Sequence, residues 1–283
     1  MSALIKAALF LLFFLNTPAL SENIPSPVKV KLVSEIEETA PGQVFRLGVL
    51  FDIDPGWHIY WKNPGQTGLP TKINFITPRG YEISPPYWPI PSYFKKPGGG
   101  YDYGYENNVL LWRDVRVPVD ARSGQVNLEV KTSWLSCKEI CIPGKETLAY
   151  ELAIGNSVKT GNDEIFNEWQ SLIPQTYNDN VTPFNFQIEK TSSGGEGFIV
   201  RLIVKPTQPI HNIEYYPDPG ENFYVRNLKK DQSEDLKNTV ISFDVSQKGS
   251  HELSGQTLDG LIVYENEHNK RFAVEISVNF TDN

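Results

Sequence analysis

The feature that most constrains the fold is a repeated alternation of apolar and polar residues in short segments separated by glycine and proline. The stretches from Val28 to Leu32 and from Val126 to Val130 are two examples. Successive side chains of a strand point to opposite faces, so this period of two indicates strands that bury one face. The 21 glycines and 21 prolines supply the turns between the segments. The pattern predicts an all-β protein.

The chain's 283 residues are enough for two domains of the usual size, about 100–150 residues each. The spacing of the alternating segments predicts an immunoglobulin-like sandwich over residues 27–155 and a second β-sandwich over residues 180–283. Residues 156–179 are predicted to be a linker, with a helix that begins near Asn162 and ends before Pro174. We therefore expect two immunoglobulin-like β-sandwich domains joined by a short helix-containing linker.

The first 21 residues have the composition of a secretory signal peptide. Lys6 precedes an unbroken apolar run from Ala7 to Leu15, and small residues around Ala19 and Ser21 allow cleavage before Glu22. The alternative is a membrane anchor, but nine apolar residues fall short of the ~20 that a spanning helix needs. We expect export to the periplasm and no membrane span in the mature chain.

Charge and ligand chemistry exclude several classes of function. With 26 basic and 34 acidic residues, a net charge of −8 and no basic run, the chain is a poor partner for nucleic acid or anionic lipid. A structural zinc site needs four ligands, whereas the chain has two cysteines and four scattered histidines, which are His58, His211, His251 and His268. We expect neither a metal nor a cofactor.

The two cysteines, Cys137 and Cys141, carry the most informative chemistry. Strand-like alternation precedes Cys137 and resumes after Pro143, so the pair is predicted to bridge the two arms of a hairpin. In a straight strand their Cα atoms would lie about 13 Å apart, too far for a disulfide, so the chain must turn between them. An exported pair at this spacing can oxidise.

Two roles for that disulfide remain open at this point. A bridge that closes so short a loop stabilises the fold by only about 2 kcal/mol, while the short loop keeps the sulfurs accessible to the thiolate of a partner. This comparison favours thiol-disulfide exchange over a structural bridge.

Two further segments are unusual in composition. Residues 55–65 are rich in aromatic side chains and contain His58, for which the spacing suggests neither a serine nor a cysteine partner, so a structural role is favoured. Residues 94–106 combine three consecutive glycines with Tyr101, Tyr103 and Tyr105. This loop is either a lid that rests an aromatic ring on the disulfide or a packed connection with a flexible tip.

Three sequence stretches together resemble a known family. Residues 55–65 (PGWHIYWKNPG), 103–106 (YGYE) and 134–143 (WLSCKEICIP) resemble the periplasmic N-terminal domain of the thiol:disulfide interchange protein DsbD and its ScsB-type relatives. The resemblance covers about residues 27–155, and residues 160–283 resemble the second sandwich of ScsB-type proteins. It implies an immunoglobulin-like domain that receives electrons from a membrane electron transporter through a thioredoxin-like domain or protein. Such a domain passes the electrons to an exported disulfide oxidoreductase.

The resemblance also implies roles for individual residues. Cys141 would form the mixed disulfide with a partner, and Cys137 would resolve it. The cap loop of the family would fall at Tyr101, Asp102, Tyr103 and Gly104, with Asp102 as a nearby acid. The sequence has no thioredoxin-like segment, so we expect another protein to supply the electrons.

Two alternative functions belong to classes other than the expected role, which is that of a component of protein-disulfide reduction. One is a non-catalytic exported β-sandwich binding module with a structural disulfide, in which native Cys137 and Cys141 would resist alkylation after mild reduction. The other is a hydrolase, which is disfavoured because the chain has no G-x-S-x-G motif.

Overall fold

The computed structural model describes residues 26–96, 100–193, 197–234, 236–249, 253 and 255–280. The predicted signal peptide, residues 1–21, lies outside these residues. Within the described ranges the chain forms strands and one short helix, as the alternating pattern predicts. No helix in this part of the chain is long and apolar enough to cross a membrane.

The first sandwich consists of two sheets whose buried faces enclose a core that contains Phe51, Leu111, Val130 and Leu152. One sheet has the strand order β1-β3-β9-β6, and the other has the order β12-β2-β11-β10-β4-β8-β7, with β5 also paired to β10. The strands are β1 (Val28–Ser34), β2 (Ile36–Thr39), β3 (Val44–Ile53), β4 (His58–Gly65), β5 (Lys72–Ile76), β6 (Glu82–Ile83), β7 (Ser92–Lys95), β8 (Tyr101–Glu106), β9 (Asn108–Arg116), β10 (Gly124–Cys137), β11 (Cys141–Ile154) and β12 (Lys159–Thr160).

The helix α1 (Asp163–Gln170) follows the first sandwich and covers the outer face of its smaller sheet. Phe166 is fully buried, and its ring meets the Trp112 ring edge-on, with centroids 6.1 Å apart. Acidic residues in the first turn suit the positive end of the helix dipole. The predicted helix is therefore present. It ends at Gln170, so Leu172 and Ile173 lie beyond it although their spacing is helical.

The second sandwich has two four-stranded sheets, ordered β13-β20-β19-β16 and β14-β15-β18-β17. Its core contains Phe184, Leu202, Phe243 and Ile262. The strands are β13 (Gln175–Thr176), β14 (Phe184–Ser192), β15 (Gly197–Pro206), β16 (Ile210–Asp218), β17 (Phe223–Gln232), β18 (Thr239–Gln247), β19 (Gln256–Asn266) and β20 (Arg271–Phe280).

The two sandwiches pack against each other beside β4, β7 and β8. Tyr216 of the second sandwich lies against Tyr103 of the first, with ring centroids 4.6 Å apart. Lys62 forms an ion pair with Asp218 at 2.6 Å, and Arg271 donates a hydrogen bond of 2.7 Å to the carbonyl of Pro91. The second sandwich therefore supports the strands that the sequence associates with a cap loop.

Candidate redox site

The two cysteines close the longest hairpin of the first sandwich. Strands β10 and β11 pair along their whole length, with Cys137 opposite Cys141 and their Cα atoms 4.2 Å apart. Residues 138–140 form the turn, in which the N–H of Lys138 donates to the carbonyl of Ile140. A disulfide joins the two sulfurs. The prediction that the pair bridges two arms of a hairpin is confirmed.

The two cysteines differ sharply in exposure. Cys137 is only 3% exposed, because β10 is an inner strand and pairs Cys137 with His58 of β4 on its other side. Cys141 is exposed, since β2, the neighbour of β11 on its other side, pairs with β11 only at Ala153 and Ile154. A partner can therefore approach Cys141 from solvent but not Cys137.

Trp134 anchors the hairpin in the core. Its side chain is buried and meets the Phe51 ring edge-on, with centroids 5.7 Å apart. It also crosses Gly144, its partner in β11: a Cβ atom at Gly144 would lie 2.2 Å from Cε2 of Trp134. Glycine at this position is what allows the indole to lie there. Trp134 and Gly144 thus attach the hairpin to the core of the first sandwich close to the bridge.

The disulfide lies on the outer face of the larger sheet. Paired residues of neighbouring strands share a face, and faces alternate along a strand. The buried pair Ser136 and Ile59 faces the core, so the adjacent pair Cys137 and His58 faces outward. Because Cys137 is nevertheless buried, side chains on that outer face must cover it.

An aromatic cluster lies on that outer face. The His58 ring stacks on Phe94 of β7, with centroids 4.6 Å apart and planes 19° apart, and meets Tyr60 edge-on at 5.1 Å. The sequence favours a structural role for His58 and does not single out Phe94 within residues 94–106. Both lie in the segments with unusual aromatic content, which was the available signal, but only the sheet order places β4 and β7 near β10.

The predicted cap-loop tyrosines point the other way. In β8, Glu106 pairs with His58 and shares its outward face, so Tyr101, Tyr103 and Tyr105 point to the opposite face. Tyr103 is fully buried there, against Tyr101 and Tyr216. This is the placement of a packed connection. A lid made from the rings of Tyr101 and Tyr103 would require another conformation of β8. The aromatic rings on the cysteine side of the sheet are those of His58, Tyr60 and Phe94.

Asp102 and Gly104 share the outward face with the disulfide. Asp102 is fully buried and accepts hydrogen bonds from the backbone N–H and the hydroxyl of Thr67, at 3.2 and 3.0 Å. Lys96 forms an ion pair with it at 2.7 Å. Burial, and then the charge of Asp102, raise the pKa of Tyr60 to about 12. The charge of this acid, which the family resemblance suggests, is balanced by the Lys96 ammonium, and the ion pair joins the end of β7 to β8.

Burial also governs the state of His58. Loss of solvent lowers the pKa of its imidazole below the ordinary value. The negative charges of Asp102 and Glu106 act against this shift, and the positive charge of Lys96 acts with it. The ring is consequently neutral at pH 7. In the described part of the chain, no group of three or more His, Cys, Asp or Glu side chains is placed to hold a metal ion.

Comparison with known proteins connects this geometry to a family. Residues 29–152 match the family model for the N-terminal region of the thiol:disulfide interchange protein DsbD. The first sandwich resembles the DsbD N-terminal domain. The matched residues include both cysteines, most of the hairpin formed by β10 and β11, and the aromatic cluster on the outer face of this DsbD-like sandwich.

A solved structure extends the comparison to both sandwiches. The crystal structure of the N-terminal periplasmic domain of ScsB from Proteus mirabilis matches with a TM-score of 0.67, over 92% of this chain and 97% of that one. The sequence identity is 17%, so this match establishes a shared all-β fold. The matched part of the chain includes the DsbD-like first sandwich. No curated protein matches the sequence.

Proposed function

We propose that this protein carries out thiol-disulfide exchange in the periplasm, through a Cys137–Cys141 pair that cycles between disulfide and dithiol. One observation carries the proposal: an exposed Cys141 is bonded to a buried Cys137 at the end of a hairpin in a DsbD-like sandwich. The family is named for this chemistry, and the predicted signal peptide would direct the chain to a compartment where disulfides persist.

The different exposure of the two sulfurs supports the proposed assignment of their roles. In the reduced protein, the Cys141 thiolate attacks the disulfide of an acceptor, forms a mixed disulfide and releases one acceptor thiolate. The Cys137 thiolate then attacks Sγ of Cys141, which re-forms the internal disulfide and releases the second acceptor thiolate. Two electrons have passed to the acceptor. In the reverse direction, a dithiol donor attacks Cys141 of the disulfide, and Cys137 leaves first.

The proposed partners follow from the family and from the shape of the site. A thioredoxin-like domain or protein, served by a membrane electron transporter, would supply the electrons, and an exported disulfide oxidoreductase would receive them. The turn between the cysteines offers an approach for such partners, because Lys138, Glu139 and Ile140 are all exposed. Ile140 is 56% exposed and provides an apolar contact beside the reactive sulfur.

Mixing the oxidised protein with a reduced thioredoxin-fold protein tests the proposed function. We expect the thioredoxin to become oxidised while Cys137 and Cys141 both become reactive to a thiol-specific reagent, as measured by mass spectrometry after acid quenching. The variant with both cysteines replaced by serine serves as control and should leave the thioredoxin reduced. If the native pair stays unlabelled with this donor and with mild chemical reductant, the disulfide is structural and the binding-module alternative is favoured.

A further inference from the structure

The proposed exchange requires Cys137 to react as a thiolate, and the burial of this residue disfavours the thiolate. Only a thiolate can attack the mixed disulfide, and removal from water raises the pKa of a thiol above the ordinary value of about 8.5. Cys137 is 3% exposed. Within the proposed function, the resolving step at neutral pH therefore needs a base next to this sulfur.

The sheet register places one imidazole in that position. His58 lies directly opposite Cys137 in the β4–β10 pair, on the same outward face. Cβ atoms of directly paired residues lie about 4.5–5.5 Å apart, so an imidazole nitrogen can reach Sγ of Cys137. The two nearby lysines have other surroundings. Lys96 is ion-paired with Asp102, and Lys138 is exposed to solvent beside Gly56.

The His58 ring is held in place by ring contacts, without a hydrogen bond at its Nε2 atom. Phe94 stacks on one face of the ring, and Tyr60 contacts its edge. Its Nε2 atom is buried and has no hydrogen-bond partner among the described residues. Buried polar atoms are normally paired, so an unpaired one needs an explanation. A thiol that appears only in the reduced protein provides a partner for it.

We propose that His58 is the proton acceptor for the Cys137 thiol during the resolving step. The proton moves from Sγ of Cys137 to the imidazole, the new thiolate bonds to Sγ of Cys141, and the acceptor leaves as a thiolate. When a donor opens the internal disulfide, His58 returns the proton to Cys137. His58 thereby allows a buried sulfur to act at a pH at which an exposed thiol would still be mostly protonated.

The electrostatic surroundings of His58 suit this role. Burial lowers the pKa of the imidazole, so the neutral form that accepts a proton is the populated one at pH 7. The charged groups facing it are Asp102 and Glu106 from β8 and Lys96 beyond β7, and Tyr60 on its own strand is uncharged at that pH. As the pH falls through the His58 pKa, the ring becomes protonated and can no longer accept. The resolving rate should fall with it.

A reaction with a chromogenic disulfide measures this step without a protein partner. We expect the reduced protein to react with 5,5′-dithiobis(2-nitrobenzoate) in two phases, followed at 412 nm. Exposed Cys141 attacks first, and Cys137 then displaces the second chromophore from Cys141. We expect His58→Phe to slow the second phase at pH 7 by at least about tenfold and to move its pH midpoint upward, while the first phase stays within about twofold. His58→Gln, which retains a polar side chain, should behave in the same way.

Lys145→Gln is the matched control, because it removes an exposed basic group of the same hairpin away from the cysteine pair and should leave the second phase within about twofold. In a Cys141→Ala background, His58→Phe should also raise the pKa of the Cys137 thiol by about one unit, measured by absorbance at 240 nm. Unchanged second-phase rates and an unchanged thiol pKa in both folded His58 variants would overturn the proposal. Failure to exchange with thioredoxin, with both effects present, would count against the proposed function alone.

Discussion

Replacing Cys137 by alanine is expected to convert the protein into a trap that accumulates a mixed disulfide with a thioredoxin-fold partner. Cys141 is the exposed member of the pair, so it can still attack the disulfide of an acceptor when Cys137 is absent. The buried sulfur that would resolve the complex is then missing. Non-reducing electrophoresis and mass spectrometry should show a covalent one-to-one complex.

The matched variant is Cys141→Ala, which keeps one thiol in the same hairpin but leaves it buried. We expect it to form little or no complex, because a partner cannot reach Cys137 through the outer-face cover around His58. Both variants should be compared with the same oxidised partner under identical conditions. If Cys141→Ala traps the partner as well as Cys137→Ala, the roles of the two sulfurs are the reverse of those assigned, although exchange itself would stand.

Replacing Trp134 by alanine is expected to destabilise the first sandwich by about 3–5 kcal/mol, the usual cost of truncating a buried tryptophan. The indole is 6% exposed, contacts Phe51 and crosses Gly144. Its removal leaves a cavity that the rigid sheets on either side cannot close. Urea unfolding followed by far-ultraviolet circular dichroism measures the loss.

Leu135→Ala is the natural control for this change. Leu135 is adjacent in sequence but half-buried and on the outward face, so its truncation should cost much less, about 1 kcal/mol. Equal losses for the two variants would show that the hairpin is not anchored through the indole. A loss below about 1 kcal/mol for Trp134→Ala would do the same.

The sequence predicts the hairpin because its information is local. Alternation on both sides of Cys137 and Cys141, and the distance limit on a disulfide, together require a turn between them. The same reasoning fails for His58 and Phe94. These residues are far from the cysteines along the chain, and their proximity depends on the order β10-β4-β8-β7, which no local pattern encodes.

The tyrosines of β8 show a second limit. Alternation predicts that Tyr101, Tyr103 and Tyr105 share one face, but it does not say which face is turned to the core. The register of Glu106 with His58 decides this, and it turns the rings toward the core and Tyr216. The contribution of the second sandwich is equally hard to predict from sequence. Tyr216 contacts Tyr103 of β8 and Arg271 binds the Pro91 carbonyl beside β7, although each pair is far apart along the chain.

The reduction potential of the Cys137–Cys141 pair is the measurement that tests the central claim most directly. It can be determined by equilibrating the full chain with graded ratios of reduced to oxidised glutathione or dithiothreitol, and by quantifying alkylated cysteines. A pair that serves exchange should titrate reversibly between about −270 and −120 mV, the range of thioredoxin-fold carriers. A potential at or below about −300 mV, typical of structural disulfides in secreted proteins, would contradict the account.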